Sequence, residues 1–313
     1  MIPVVERTVR PLLPVDLRLT LFPVRRGRLD PTVRFDFSGV WRATRTPAGP
    51  ATTHLRATPA AGTVTMRAWG PGAGWALDAF PALIGAGDDE AGFEPGAGLV
   101  GELHHRLRGL RIGRTGAVME ALVPSILEQK VVGLEARRSY ARIVRALGEP
   151  APGPERPSER GPRPADLFLP PTPQCLATTP SWVFHRANVE RKRADTIRRA
   201  CSYVARLEET VSMSPDDARR RLTALPGIGL WTAAEVAMVA LGDADAVSVG
   251  DYHLPNQVAW ALAGEPRGDD ARMLELREPW RGHRGRVLRL LGAGAGGAPR
   301  YGPRMPLRSI IGQ

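Results

Sequence analysis

The chain of 313 residues is 43% hydrophobic, a globular balance that excludes a disordered polymer. Its 43 Lys+Arg against 32 Asp+Glu leave a net charge of +11, nearly all of the excess arginine. That balance points to an anionic partner, nucleic acid first and an acidic membrane surface second, or to a GC-rich coding source. Cys175 and Cys201 are too few for a four-thiolate zinc or iron–sulfur site, and they suit a reducing cytosol. No apolar run approaches the roughly 20 residues that cross a bilayer. Glu6, Arg7 and Arg10 interrupt any signal-peptide core, so a soluble intracellular protein is expected.

In chain order, residues 1–100 read as a β-rich unit. Val33, Phe35 and Phe37 alternate with Arg34 and Asp36, and Val64, Met66 and Ala68 with Thr65 and Arg67, the period of half-buried strands. Trp75–Ile84 predicts a short helix packed on the sheet, and Gly85–Gly98 a Gly/Pro-rich connection. From Thr115, an expected N-cap, the pattern turns helical over Ala117–Gly133 and Leu134–Leu147, the second studded with Arg137, Arg138, Arg142 and Arg145. Glu149–Pro173 is dense in proline and charge and predicts a linker or surface loop. Helices are expected again over Pro173–Thr178, Arg191–Glu208, Pro215–Leu222, Leu230–Leu241, Asp251–Leu262, Asp269–Leu276 and Pro279–Leu291. Gly292–Gln313 reads as a flexible tail.

The most informative stretch is Leu225-Pro226-Gly227-Ile228-Gly229-Leu230-Trp231-Thr232-Ala233. Ser214 before Pro215 predicts an N-cap, with Asp217 closing a capping box. Pro226 and Gly227 then force a tight turn, and Gly229 leaves bare amides at the start of the next helix. A phosphate can sit on such amides without any side chain. An ordinary glycine turn between two helices is the alternative, and the whole frame of capped helix, turn and apolar second helix favours the anion site.

This stretch, followed by Gly250-Asp251-Tyr252, resembles the HhH-GPD superfamily of DNA glycosylases, and within it the 3-methyladenine DNA glycosylase II (AlkA-like) branch. Ser125-Ile126-Leu127-Glu128-Gln129-Lys130-Val131 and Phe168-Leu169-Pro170-Pro171-Thr172-Pro173 agree with it, and the similarity spans about residues 105–291. The resemblance implies an α+β fold: an N-terminal lobe of antiparallel sheet and helix over residues 1–110, and a mostly helical catalytic region over 111–291. It also implies a monomer on double-stranded DNA carrying damaged bases, in the cytoplasm at the nucleoid, and a monovalent cation seated in the hairpin.

The same resemblance places the essential aspartate on Asp251. Breaking an N-glycosidic bond passes through an oxocarbenium-like sugar, which a fixed anion stabilises while it orients or deprotonates the attacking water. Taken alone, Asp251 reads better as a helix N-cap, and the hairpin context reverses that preference. Bifunctional relatives use a lysine two positions after the hairpin's second glycine; here that residue is Trp231, so a hydrolase without lyase activity is expected. Trp231 and Tyr252 are the expected walls of the base pocket. Glu235, the only charge in Leu230–Leu241, lies one turn from Trp231 and is expected to line the pocket and favour a cationic lesion. Alkylated purines, good leaving groups already, are the expected substrates.

Gln129 and Lys130 stand where such enzymes fill the gap left by the flipped nucleotide, or simply end a helix. Asp243 and Asp245 are expected in a solvated loop, and His104, His105 and His283 on the surface or beside phosphates. The run from Arg281 to Arg286 reads as a DNA backbone contact or a solvated helix start. Removal of oxidised or deaminated bases, a non-catalytic helix-hairpin-helix DNA-binding protein and an RNA-binding protein are the competing readings.

Overall fold

The computed structural model describes residues 4–153, 167–299 and 307–310. Strand β1 (Val5–Val9) and helix α1 (Leu17–Leu21) precede β2 (Val33–Asp36), β3 (Gly39–Thr46), β4 (Gly49–Thr58) and β5 (Thr63–Trp69). All strand pairs are antiparallel, in the order β1-β5-β4-β3-β2. The period-2 pattern decides which side chains go where. Val40 of β3 and Val64 and Met66 of β5 bury against α1 and α2 (Ala73–Leu83), in a core shared with Leu17, Leu21 and Phe80. Trp41, Ala43 and Trp69 face the other way and pack on Ala151, Leu167 and Leu169. Phe37 does not continue the alternation. It sits in the two-residue turn between β2 and β3, 96% exposed, where Asp36 accepts the Ser38 amide. Gly39 closes that turn with φ 138°, and a Cβ there would lie 2.0 Å from the Leu55 carbonyl oxygen.

The helical region follows as α3 (Leu99–Arg106), α4 (Val118–Leu127), α5 (Gly133–Leu147), the short strands β6 (Glu149–Pro150) and β7 (Phe168–Leu169), α6 (Pro173–Thr178), α7 (Ser181–Arg186), α8 (Arg191–Ser202) and α9 (Val204–Glu208). It ends with α10 (Pro215–Thr223), α11 (Leu230–Val236), α12 (Leu254–Ala263), α13 (Asp270–Arg277) and α14 (Arg284–Gly294). Helix α4 is buried on every side except at Glu120, whose carboxylate accepts from Arg42 and Thr44 of β3, and it packs on α5, α8, α9 and α11. A separate core joins Val100 and Leu103 of α3, then Leu110 and Ile112, to Val258 of α12, Met273 of α13 and Val287 and Leu291 of α14. Residues on both sides of position 110 therefore share one core.

Several sequence expectations are corrected by long-range partners. Helix α4 is capped by Glu208, whose carboxylate accepts the Val118 and Met119 amides at 2.9 Å, and not by Thr115. Arg284 pairs with Asp245 and Arg286 lies buried against Asp88 at 2.7 Å, so these two are internal braces, while Arg281 stays exposed in a local pair with Glu278. His104 and His283 both pack on Phe93, pinning the 85–98 connection to α14. Residues 154–166 of the proline-rich stretch lie outside the described residues; its ends pair as β6 and β7. The tail begins later than expected, after α14. Residues 307–310 dock on the helical body through Glu135 and Asn188. No helix among the described residues is long and apolar enough to cross a membrane.

Candidate active site

Helix α10 starts as its sequence dictates. The Ser214 hydroxyl accepts the Asp217 amide at 3.2 Å, Pro215 holds the first helical position, and the Ser214 hydroxyl donates to the Asp217 carboxylate at 2.6 Å. The turn into α11 needs its first glycine. Gly227 has φ 96°, and a Cβ there would lie 2.6 Å from the Thr196 hydroxyl. Gly229 differs: its backbone is extended, and the space where a Cβ would stand is open. The turn thus presents bare backbone at one point and is packed shut at the other.

Side chains brace the turn from behind. The Gln129 amide donates to the Gly227 carbonyl and to the Thr232 hydroxyl, both at 2.9 Å, and the Arg199 guanidinium donates to the Pro226 carbonyl at 2.8 Å. The Gly227 and Pro226 carbonyls of the turn thus each meet a side-chain donor. Gln129 is therefore committed to the hairpin, which removes it as a gap-filling side chain. Lys130, the next residue, is exposed and holds φ 56°, a left-handed conformation that non-glycine residues rarely adopt. It forms the tip of the turn between α4 and α5. Beyond it, Arg137, Arg138, Arg142 and Arg145 of α5 are exposed and make no ion pair among the described residues.

Asp251 lies at the seam between the two helical cores. Its Oδ1 accepts the amides of His253 at 2.7 Å and Leu254 at 2.9 Å, as a cap of α12 would. Its Oδ2 accepts the Trp231 indole N–H at 3.0 Å, a bond that reaches across to α11. The preceding residue, Gly250, has φ 89°, and its amide donates to both carboxylate oxygens of Asp270 at 3.1 and 3.0 Å. No basic side chain among the described residues forms an ion pair with Asp251. Here is a carboxylate held by neutral donors alone among the described residues.

Glu235 lies one turn beyond Trp231. Its Oε1 accepts the hydroxyl of the wholly buried Ser248 at 2.5 Å. Burial pushes the Glu235 pKa up, and the nearby negative charges of Glu128 and Asp251 add to the rise; the Ser248 bond and Arg26 pull against it. Arg26 comes from the N-terminal lobe and sits 3.8 Å from Glu128, so that lobe contributes charge to this cleft. The Tyr252 ring is 81% exposed and stacks edge-on against His253. Asp243 and Asp245 are not solvated. Burial raises the Asp243 pKa, while Asp245 accepts the Gly282 amide at 2.9 Å and the Arg284 amide and side chain.

Of the residues singled out from the sequence, the structure joins Trp231 to Asp251 and sets Glu235 one turn from Trp231. Sequence reasoning missed Ser248, Asp270, Arg26 and Glu128, because nothing local marks a distant acceptor or a charge donated by another lobe.

No family model and no curated protein sequence matches the chain. Solved structures do. The 3-methyladenine DNA glycosylase of Archaeoglobus fulgidus superposes with TM-score 0.75 at 18% identity, over 91% of this chain and 97% of that one. The fold is that of the HhH-GPD DNA glycosylases. The 8-oxoguanine glycosylase/lyase of Clostridium acetobutylicum, in complex with double-stranded DNA, gives TM-score 0.67 at 13% identity, over 93% and 96% of the two chains. The 3-methyladenine DNA glycosylase of Schizosaccharomyces pombe, in complex with abasic DNA, gives 0.51 at 15% identity, over 72% and 100%.

Proposed function

We propose that this protein is a monofunctional DNA glycosylase of base excision repair. It grips the backbone of damaged duplex DNA at Leu225, Pro226, Gly227, Ile228 and Gly229 and flips out the damaged base, with Lys130 filling the gap. Hydrolysis of the C1′–N bond is then assisted by Asp251. The observation that carries this reading is the orientation of Asp251: one oxygen turned toward the hairpin helix by Trp231, with no ion-pair partner among the described residues. As the bond breaks, the sugar gains positive charge that this anion stabilises, and the same oxygen takes the proton of the attacking water. Trp231 and the cleft beside Glu235 supply the base slot.

Two further points support the narrower reading. The whole chain has only two lysines, Lys130 on the turn tip and Lys192 at the start of α8, and tryptophan holds the position where a lyase keeps its amine. Hydrolysis without strand cleavage follows. Alkylated purines are the substrate class, since a cationic base leaves without help and suits a slot ringed by Trp231, Glu235 and Glu128. The competing reading, a non-catalytic DNA-binding module, draws on the two amides that Asp251 caps.

One assay separates them. Duplexes carrying a single 7-methylguanine or 3-methyladenine are incubated with wild type and Asp251→Asn, then cleaved with alkali at abasic sites. The enzyme reading expects release by wild type, its loss in the variant and unchanged or tighter duplex binding; release by neither protein would leave only the binding module.

A further inference from the structure

A line of arginines leads from the tip of the α4–α5 turn onto the N-terminal lobe. Lys130 forms that tip, and α5 begins just after it at Gly133. The Arg137 side chain lies back along this start: a Cβ on Gly133 would stand 4.0 Å from its guanidinium. Its stem also touches the other lobe, where a Cβ on Gly27 would stand 2.8 Å from Arg137 Cδ. On either side of Gly27 lie the half-buried Arg25 and the exposed Arg28. Arg25 and the exposed Arg18 both sit over the Phe35 ring, with their guanidinium carbons 5.3 and 5.9 Å from its centroid. Arg25 donates to the Arg28 carbonyl at 3.3 Å and Arg18 to the Asp36 carbonyl at 2.5 Å, so both forks are held without a carboxylate. The acids nearby are spent internally. Asp16 caps α1, Asp30 accepts the Arg26 and Thr32 amides, Asp36 accepts from Ser38, Glu128 faces Arg26, and Glu135 holds Asn188 and the Arg308 amide. Arg18, Arg25, Arg28 and Arg137 form no ion pair among the described residues. Burial lowers the Arg25 pKa, and the charges of Arg34, Arg28 and Arg18 push the same way against Asp30.

We propose that Arg28 and Arg137, backed by Arg25 and Arg18, bind phosphates of the duplex that flanks the flipped nucleotide on the Lys130 side, which makes the N-terminal lobe part of the DNA-binding surface. This rests on the DNA-binding half of the reading above, in which Lys130 enters the duplex, and not on the chemistry at Asp251. Like charges gathered around one ring without an acid to relieve them suit a partner that brings its own negative charge. The unbroken course from Lys130 through Arg137 to Arg28 favours a duplex already engaged at the turn tip over a separate anionic surface. The two grips differ in kind. The hairpin offers bare amides to the backbone, whereas this surface offers guanidinium forks, each matched to two oxygens of one phosphate. Such contacts set position and orientation and read no sequence.

The test measures affinity across a salt series for duplexes carrying a single tetrahydrofuran abasic analogue. A short duplex ends just past the analogue on both sides, and two longer ones extend by a helical turn on one side or the other. Each phosphate contact steepens the fall of log K with log[salt] by about 0.9. For wild type, one of the two extensions steepens the slope relative to the short duplex by about 2 or more. The double variant Arg28→Gln, Arg137→Gln, which changes only exposed side chains, loses about 1.8 of that slope on the extended duplex and none on the short one. Arg28→Lys with Arg137→Lys keeps the charge and retains most of the difference. An unchanged slope in the glutamine variant, an equal loss on short and extended duplexes, or lysines that lose as much as glutamines overturns the proposal. Base release without any dependence on the flank also overturns it and leaves the glycosylase intact. Flank dependence without base release upholds this surface and ends the glycosylase reading. Failure to bind any of the duplexes ends both.

Discussion

Asp245 and Asp251 occupy the same connection between α11 and α12, yet the fold treats them in opposite ways. Asp245 is saturated with charge-assisted partners: the Arg284 side chain, with Nε at 2.8 Å, and the amides of Gly282 and Arg284. Asp251 receives two amides and an indole and meets no cation among the described residues. The first carboxylate ties the loop to α14. The second has no ion-pair partner among the described residues, as the proposed reaction requires. An aspartate whose charge is already cancelled cannot stabilise an oxocarbenium sugar, so the missing ion pair matters as much as the carboxylate.

Exchanging each for asparagine is the strongest way to break this contrast. Asp251→Asn is expected to slow single-turnover base release by about 10³-fold while thermal unfolding stays within a few degrees. Asp245→Asn is expected to do the reverse: a loss of about 2 kcal/mol for this mostly buried pair, read from the denaturant midpoint, with base release per folded molecule retained. Although burial opposes ionisation of Asp245, the Arg284 bonds outweigh it, and the pKa lies below the ordinary value. A depressed pKa contributes stability above the unfolded-state value of about 3.9 and loses it as pH falls through the folded value. Arg284→Ala should therefore flatten the acid limb of the stability profile. An unchanged limb would mean that Asp245 is not the anchor.

The two aspartates also mark how far local sequence reaches. The hairpin was legible because each of its devices is local: Ser214 and Pro215 start a helix, Gly227 is forced by the turn, and Gly229 follows. Asp251 was legible only through its resemblance to a known pattern, since its residue type and place alone fit a helix cap better, and in the structure its Oδ1 does cap α12. What could not be read were partners far apart in the chain, such as Glu208 on α4, Asp88 under Arg286 and Asp270 on the Gly250 amide. The direction of Tyr252 was not legible for a related reason. Adjacency to Asp251 does not fix direction, and the tight turn before α12 throws its ring into solvent.

A smaller break acts on the third donor. Trp231→Phe keeps the ring that walls the cleft and removes the indole N–H that orients Oδ2. A hydrogen bond to a charged group contributes about 1.5–3 kcal/mol, so kcat should fall roughly tenfold or more. The KM for a lesion duplex should change less, because the ring remains. A proportional rise in KM with unchanged kcat would assign Trp231 to the base alone and return Asp251 to its capping role.

The smallest expected effect concerns Asp270, which never reaches the cleft. Its carboxylate holds the amide of Gly250, whose left-handed φ of 89° aims the next residue at α11. Asp270→Ala frees that amide and lets the peptide before Asp251 rotate, at a cost of about 1 kcal/mol, or roughly fivefold in rate. Asp270→Asn keeps an oxygen acceptor and should restore most of the loss. A residue that merely stabilised α13 would lower the unfolding midpoint in both variants and leave kcat per folded molecule untouched. A positioning residue separates the two variants in kcat, because what differs between them is whether the Gly250 amide still has an oxygen to hold. Gly250→Ala should resemble Asp270→Ala in kcat, since a Cβ meets no steric obstacle there and acts only through the strained φ.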